Sequence, residues 1–453
     1  MWWPEKFILI LFLSIFASQG RAQGLELKQL PEWIETRNPN VLKSKADLEA
    51  AEAEEDMATA DFFPQILLKA TRTHTDADIT IDLPNQSIRR TLPNGAPFAL
   101  DIDPPALKIQ DQDVSKAQIV LMQPLYAGGR LSAQKDVRSA DVRIREAENQ
   151  MERNLQLQVV MQRYFRTLYG QEMVQILEQF SKHLQKIDQL TANLIKTGAL
   201  PAFSRHKTTS ALAELQARQV QASAQTEVVC RATQSLLGTQ GPCVFKSPLT
   251  VLPLPTSPRS LHAVSEKSRP EYGILEQNRQ KADAAFEAAT GSLLPSVYAF
   301  GRRELLEGQL TALDPKWVVG VGLEWNLTGG LKGFPERKKA YAIKQKVEYA
   351  VQQAKRDIPI QIEQFWAQAK GEKAALDATR QAVKAAQETL RIQNIRFASG
   401  DASQFDVLSA LSELEKLVIR ELELKESYNR ALVDLYAASG DVRLYIHHYH
   451  DHR

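Results

Sequence analysis

Two periods of hydrophobicity divide the chain. Between 316 and 327, Trp317, Val319, Val321, Leu323, Trp325 and Leu327 alternate with Lys316, Val318, Gly320, Gly322, Glu324 and Asn326. A period of two predicts a strand, here with one large apolar face and one small or polar face. Weaker alternation recurs three times. Ile66, Leu68 and Ala70 stand against Lys69 and Thr71, and Ala117, Ile119 and Leu121 against Lys116 and Gln118. Val297, Ala299 and Gly301 alternate with Tyr298 and Phe300, and there the outward face is ambiguous. Four strands are therefore predicted, at about 64–74, 114–125, 295–304 and 316–327. Elsewhere the period is helical. Ala133, Val137, Ala140, Ile144, Ala147 and Met151 recur at spacings of four and three, as do Ala340, Ile343, Val347, Ala350 and Ala354. Long helices are predicted at about 130–196 and 331–398. At 1.5 Å per residue each is on the order of 100 Å long. That length exceeds an ordinary bundle and suits coiled coils whose alanine seams permit close approach.

The landmarks repeat. Pro270 follows Pro39 by 231 residues, as Pro295 follows Pro64. The pair Gly329-Gly330 follows Gly128-Gly129 by 201, and the turns at Gly400 and Gly440 follow those at Gly198 and Gly238 by 202. Each half reads as short helix, strand, loop, strand, long helix, tight turn, helix. The first repeat covers 23–245 and the second 270–440. Between them lies a linker, 246–269, containing Pro248, Pro253, Pro255 and Pro258. A tail, 441–453, follows. The one mismatch is an insertion of 30 residues between strands one and two, roughly Thr75 to Asp113. Its prolines forbid a long helix and its aspartates keep it wet. Ile79, Ile81, Leu83, Phe98, Leu100 and Ile102 alternate within it, so it is either a tolerated surface loop or an extension of the hairpin able to fold over as a lid.

Four strands leave open edges, and in lipid every backbone group must be satisfied internally. The smallest membrane barrels have eight strands, so four demand partners, and three copies give twelve. Trp317 and Trp325, eight residues apart, span roughly 26 Å at the usual strand rise and suit an aromatic girdle.

Charge and termini refine the picture. Lys+Arg number 56 and Asp+Glu 54, a formal +2 that gives no reason to expect nucleic acid. Lys6 precedes an apolar run from Phe7 to Ala17, and Gly20-Arg21-Ala22 supplies small residues. Residues 1–22 are thus expected to be a secretory signal, too short for a span of about 20 residues. The cysteines, Cys230 and Cys243, would then be exported. A disulfide worth roughly 3 kcal/mol suits that compartment. A metal pair lacks a nearby His, and two free thiols are the remaining alternative. The tail holds His447, His448, His450 and His452. It reads as a metal-binding segment or as a solvated, mobile terminus. No other metal site and no cofactor is predicted. His74, His183, His206 and His262 are scattered and no catalytic motif is present, so an enzyme is not expected.

Three features resemble the TolC-like outer-membrane efflux family. Gln123-Pro124-Leu125-Tyr126-Ala127-Gly128-Gly129-Arg130 is similar to its strand-to-helix corner. Phe397-Ala398-Ser399-Gly400-Asp401, continuing to Phe405-Asp406-Val407-Leu408-Ser409-Ala410, is similar to its periplasmic helix turn. The duplicated layout is the third. The resemblance implies a mainly α fold with a β-barrel part. A homotrimer would form a twelve-stranded β-barrel in outer-membrane lipid, continued by an α-helical coiled-coil barrel in the periplasm. It implies a passive exit duct of a tripartite efflux or type I secretion system, with a periplasmic adaptor and an inner-membrane transporter as partners. The turns Gly198-Ala199 and Gly400-Asp401-Ala402 would dock the adaptor. Asp406 matches an acid near the family's periplasmic gate. Phe397 stands where a Tyr is usual, Ala402 where an Arg occurs, and Ser204 where an acid occurs. Closure would therefore rest on packing by Leu200, Phe203 and Phe397, with Asp406 alternatively only capping its helix near Ser403. A soluble periplasmic coiled-coil scaffold or adaptor would share the signal and helices without needing the alternating strands.

Overall fold

The computed structural model describes residues 25–239, 245, 247–307, 314–327 and 330–452. The signal segment, including its cleavage position, and Cys243 lie outside the described residues. In chain order the elements are α1 (Leu30–Arg37), α2 (Pro39–Ala60), β1 (Gln65–His74), β2 (Ile79–Ile81), β3 (Gln86–Thr91), β4 (Pro97–Ile102), β5 (Leu107–Gln110) and β6 (Asp113–Tyr126). There follow α3 (Arg130–Lys196), α4 (Ser204–Leu237), α5 (Pro258–Ser268), α6 (Pro270–Gly291), β7 (Ser296–Glu304), β8 (Trp317–Glu324), α7 (Gly330–Ala398), α8 (Gln404–Ala438) and α9 (Arg443–Asp451). No described helix is long and apolar enough to cross a membrane. Two compact units share the long helices. One gathers the residues up to Lys45, Asn149–Pro270 and those from Lys355 on; the other holds Ala46–Glu148 and Glu271–Ala354.

The first unit is helical, and local chemistry sets its boundaries. Asn38 separates α1 from α2: its Oδ1 accepts from the backbone N–H of Asn40 at 2.9 Å and of Val41 at 3.4 Å, and Pro39 occupies the first helical position, where no N–H is needed. The same logic places a helix inside the segment 246–269. Ser257 caps α5 by accepting from the N–H of Arg259, and Pro258 opens the helix instead of forbidding it. The tail is likewise no mobile terminus. It folds as α9, burying Tyr445, Ile446 and Tyr449. Buried tyrosines then tie distant segments together. Tyr164 donates to the carbonyl of Leu25 at 3.1 Å, Tyr428 to Leu252 at 2.7 Å and Tyr449 to Pro248 at 2.9 Å, while Tyr445 donates to Asn429. A buried hydroxyl left unpaired would cost about 1–3 kcal/mol, so each of these bonds fixes a chain position.

The second unit carries a four-stranded antiparallel sheet of order β1-β6-β7-β8. Its register resolves the ambiguous strand. Val297, Ala299 and Gly301 face Leu323, Val321 and Val319, so they share the apolar face of β8. Tyr298 and Phe300 face Gly322 and Gly320 on the other side. The final strand is shorter than its alternation suggests. Ser296 pairs with Glu324, and the next partner would be Pro295, which has no N–H to donate. Trp325 and Leu327 therefore lie beyond the ladder, and the Trp325 indole N–H donates to the carbonyl of Leu293 at 3.2 Å.

The insertion is built as two further two-stranded ladders, β2 with β5 and β3 with β4. Its tip is the turn at Asn94-Gly95, where Leu92 and Ala96 close a backbone bond at 2.9 Å. At the base, the Nζ of Lys108 lies 2.8 Å from Asp78 and 2.5 Å from Asp111. These bonds raise the pKa of Lys108, and the one from Lys108 is the largest cause lowering that of Asp78.

Candidate functional site

The sheet has the surface of a wall between an apolar medium and water. One face presents Ile66 and Leu68 on β1, Ile119 and Leu121 on β6, and Trp317, Val319, Val321 and Leu323 on β8, with exposures from 39% for Leu121 to 73% for Ile66. So large a contiguous apolar surface cannot face water without cost, at about 25 cal/mol per Å². Pairing places Lys69, Gln118 and Glu304 side by side on the opposite face, with Arg302 two residues along β7. There the rings of Tyr298 and Phe300 lie over Gly322 and Gly320. A Cβ at either glycine would come within 2.5 and 2.9 Å of ring carbons. Neither glycine can be replaced without moving a ring.

At the corner between β6 and α3 two stretches of backbone approach closely. Gly128, at φ 63°, sits so close to Gly291 at the end of α6 that a Cβ on it would meet the Gly291 carbonyl at 2.4 Å, and one on Gly291 would meet the Gly128 carbonyl at 2.2 Å. The corner motif is thus a place where two backbones touch.

The two helix turns share one geometry. After α3, Gly198 takes φ 74°, and the N–H of Ala199 donates to Leu194 at 2.9 Å. After α7, Gly400 takes φ 86°, and the N–H of Asp401 donates to Arg396 at 2.8 Å. Both are left-handed helix ends in which the residue after the glycine bonds back five residues. Around them, Phe397 (4% exposed), Val407 and Leu411 are buried in one hydrophobic cluster with Leu184 and Ile187, and Leu200 and Ala402 pack against it. The Gln404 amide of α8 donates to the Thr191 hydroxyl of α3 at 3.2 Å.

A family model described as outer membrane efflux protein matches residues 30–239 and 265–441. The chain belongs to the outer membrane efflux protein family. Solved structures of similar fold agree. CusC is matched with a TM-score of 0.74 at 17% identity, covering 91% of this chain and 92% of that one. Campylobacter jejuni CmeC is matched at 0.70 and 15% identity over 93% and 89%. Neisseria gonorrhoeae MtrE, described as an outer membrane channel in its open state, is matched at 0.72 and 16% identity over 91% and 88%. No curated protein matches significantly.

Within this outer membrane efflux protein, the residues singled out for a gate separate. Phe397 and Leu200 belong to the chain's own hydrophobic cluster, whereas Phe203 is 61% exposed and Ser204 is buried at the start of α4. Asp406 closes a capping box: it accepts from the backbone N–H of Ser403 at 2.9 Å and from its hydroxyl at 2.8 Å, and Ser403 caps α8 in return. The Ser403 side-chain bond, followed by the backbone bond, holds the Asp406 carboxyl below its ordinary range. Sequence reasoning missed Phe405, 64% exposed beside this box with the Lys207 ammonium 5.7 Å from its ring centre. It also missed Asp188 of α3, which accepts from the Thr208 hydroxyl at 2.5 Å and lies 3.6 Å from Arg205. Phe405 could have been found, since it breaks the apolar period of α8; nothing in the sequence links Asp188 to Thr208. Trp317 opens β8, 66% exposed, and Trp325 lies just past its end, 56% exposed. Cys230 is buried in α4 and disulfide-bonded.

Proposed function

We propose that the chain is one third of a passive exit duct in the outer membrane. Three copies close a twelve-stranded barrel, with the long helices continuing as a tunnel into the periplasm. The observation that carries this is the sheet itself. β1 bonds only to β6 and β8 only to β7 among the described residues, so both edges await partners while one face is apolar and exposed. In a bilayer an open edge strands several backbone groups, each costing several kcal/mol, and closure by further copies removes that cost. Trp317 and Trp325 would sit at the two rims of the lipid-facing band. The duct performs no catalysis. It receives substrates from an inner-membrane transporter through a periplasmic adaptor, in a tripartite efflux or type I secretion system, and the turns at Gly198 and Gly400 are the adaptor's footing. Cys230 is joined to Cys243. Light scattering of the protein purified in mild detergent tests the assembly: a mass of three chains is expected, and a stable monomer would overturn the barrel. A chain recovered in the soluble fraction after osmotic shock would instead be a periplasmic scaffold.

A further inference from the structure

The histidines of α9 play no part in a duct, yet their geometry is specific. The backbone N–H of His452 donates to the carbonyl of His448 at 3.3 Å, closing the last turn. His452 caps α9 one residue past its end and four after His448, the spacing that sets side chains one above the other on a helix, and both residues are exposed. The His448 ring is also held. Its Nδ1 lies 2.6 Å from the Tyr436 hydroxyl of α8, and the two rings meet edge to face with centroids 5.4 Å apart. Tyr436 is 2% exposed, so its hydroxyl is a fixed, buried partner for that nitrogen. A neutral hydroxyl accepts as readily as it donates. When Nδ1–H donates to it, the lone pair of His448 is left on Nε2. Metal-bound imidazoles commonly have this arrangement: one nitrogen ligating, the other donating to a fixed oxygen that sets tautomer and orientation.

We infer that His448 and His452 form a two-imidazole clip for a divalent cation of the Cu2+, Ni2+ or Zn2+ class, with Tyr436 as the positioning residue. Imidazole selects these ions over Mg2+ and Ca2+, which prefer oxygen. No group of three or more metal-binding side chains occurs among the described residues, so water completes the coordination and the ion exchanges readily. His447 and Asp451 have the same spacing, but they offer only one imidazole, and among the described residues no buried hydroxyl orients the His447 ring. A bound ion bridges the last turn of α9 and, through His448 and Tyr436, fastens that helix to α8.

The test is a Cu2+ titration of the untagged full-length protein in detergent, followed by electron paramagnetic resonance. One saturable Cu2+ per chain with hyperfine coupling to two nitrogens is expected. His448→Gln and His452→Gln should each remove that signal, and His447→Gln should keep it. Tyr436→Phe should leave α9 folded by circular dichroism and weaken binding about tenfold, the usual cost of losing an outer-sphere partner. No saturable binding, a signal unchanged in His452→Gln, or a signal lost in His447→Gln would overturn the clip. Undiminished affinity in Tyr436→Phe would overturn the positioning role. None of these readouts depends on export, so the clip can fail while the duct stands.

Discussion

At the scale of single residues, the corner glycines separate two physical demands that the sequence merges. Gly128 and Gly129 both have positive φ, 63° and 77°, but only Gly128 has backbone where a Cβ would go. Gly129→Ala therefore carries only the left-handed penalty of about 1–2 kcal/mol. Gly128→Ala adds a clash with the Gly291 carbonyl that no rotamer relieves, and should destabilise by roughly 2–4 kcal/mol in total. Urea midpoints of the two variants check the difference; equal midpoints would remove the close contact. The Gly-Gly was plain in the sequence, but the reason for its first member was not, because the contact partner lies in the other repeat. Asp406 makes a second case. Its pKa is lowered in the folded chain, so the capping box is complete above the ordinary carboxylate pKa and is lost as pH falls through the depressed value. Asp406→Asn should lower the melting temperature at neutral pH and flatten the dependence of that temperature on pH in the acid range. A melting curve with unchanged acid dependence would mean the cap contributes nothing.

At the scale of elements, periodicity was most legible where one face is exposed to a single medium. The alternation of β8 needed no partner to be read, whereas that of β7 became clear only when its register set Val297 beside Leu323. Helix α5 is short and lies in a proline-rich linker, so its period is hard to see, and its start is marked only by Ser257 before Pro258 at the first helical position. The insertion follows the same lesson. Its register puts Ile88, Phe98, Leu100 and Ile102 on one face of the β3–β4 ladder and Ser87, Arg89 and Asp101 on the other. If the duct has the proposed orientation, an epitope placed at Asn94-Gly95 should be reached by antibody on intact cells. Deleting Ser87–Ala99 should raise single-channel conductance if three hairpins fold over the mouth, and leave it unchanged if they stand clear. An epitope reached only after permeabilisation would reverse the topology. At the helix turns, Ala402 packs against the hydrophobic cluster but Ala199 is exposed. Ala199→Trp should therefore abolish export while the trimer survives, and intact export would remove the docking role from that turn.

At the scale of the whole molecule, the duplication was legible because glycines and prolines mark backbone geometry that packing cannot replace. The family resemblance drawn from those marks holds. The surroundings of Phe397 were not legible in the same way, since its packing within the chain against Leu184, Ile187, Val407 and Leu411 joins helices far apart in sequence. The tyrosine bonds have a different kind of consequence, one that concerns time. The carbonyls of Leu25, Pro248 and Leu252 are held by Tyr164, Tyr449 and Tyr428, joining positions 139, 201 and 176 residues apart. A chain delivered across a membrane from its N-terminus offers residue 25 long before residue 164, and residue 248 long before residue 449. The helical unit therefore cannot seal until the final helix has emerged, and until then its early segments wait with their polar groups in water. Pairings this distant in sequence are slow to form. For an exported protein of this build, the interval between the arrival of Pro248 and that of α9 leaves the segment before α5 open to proteolysis.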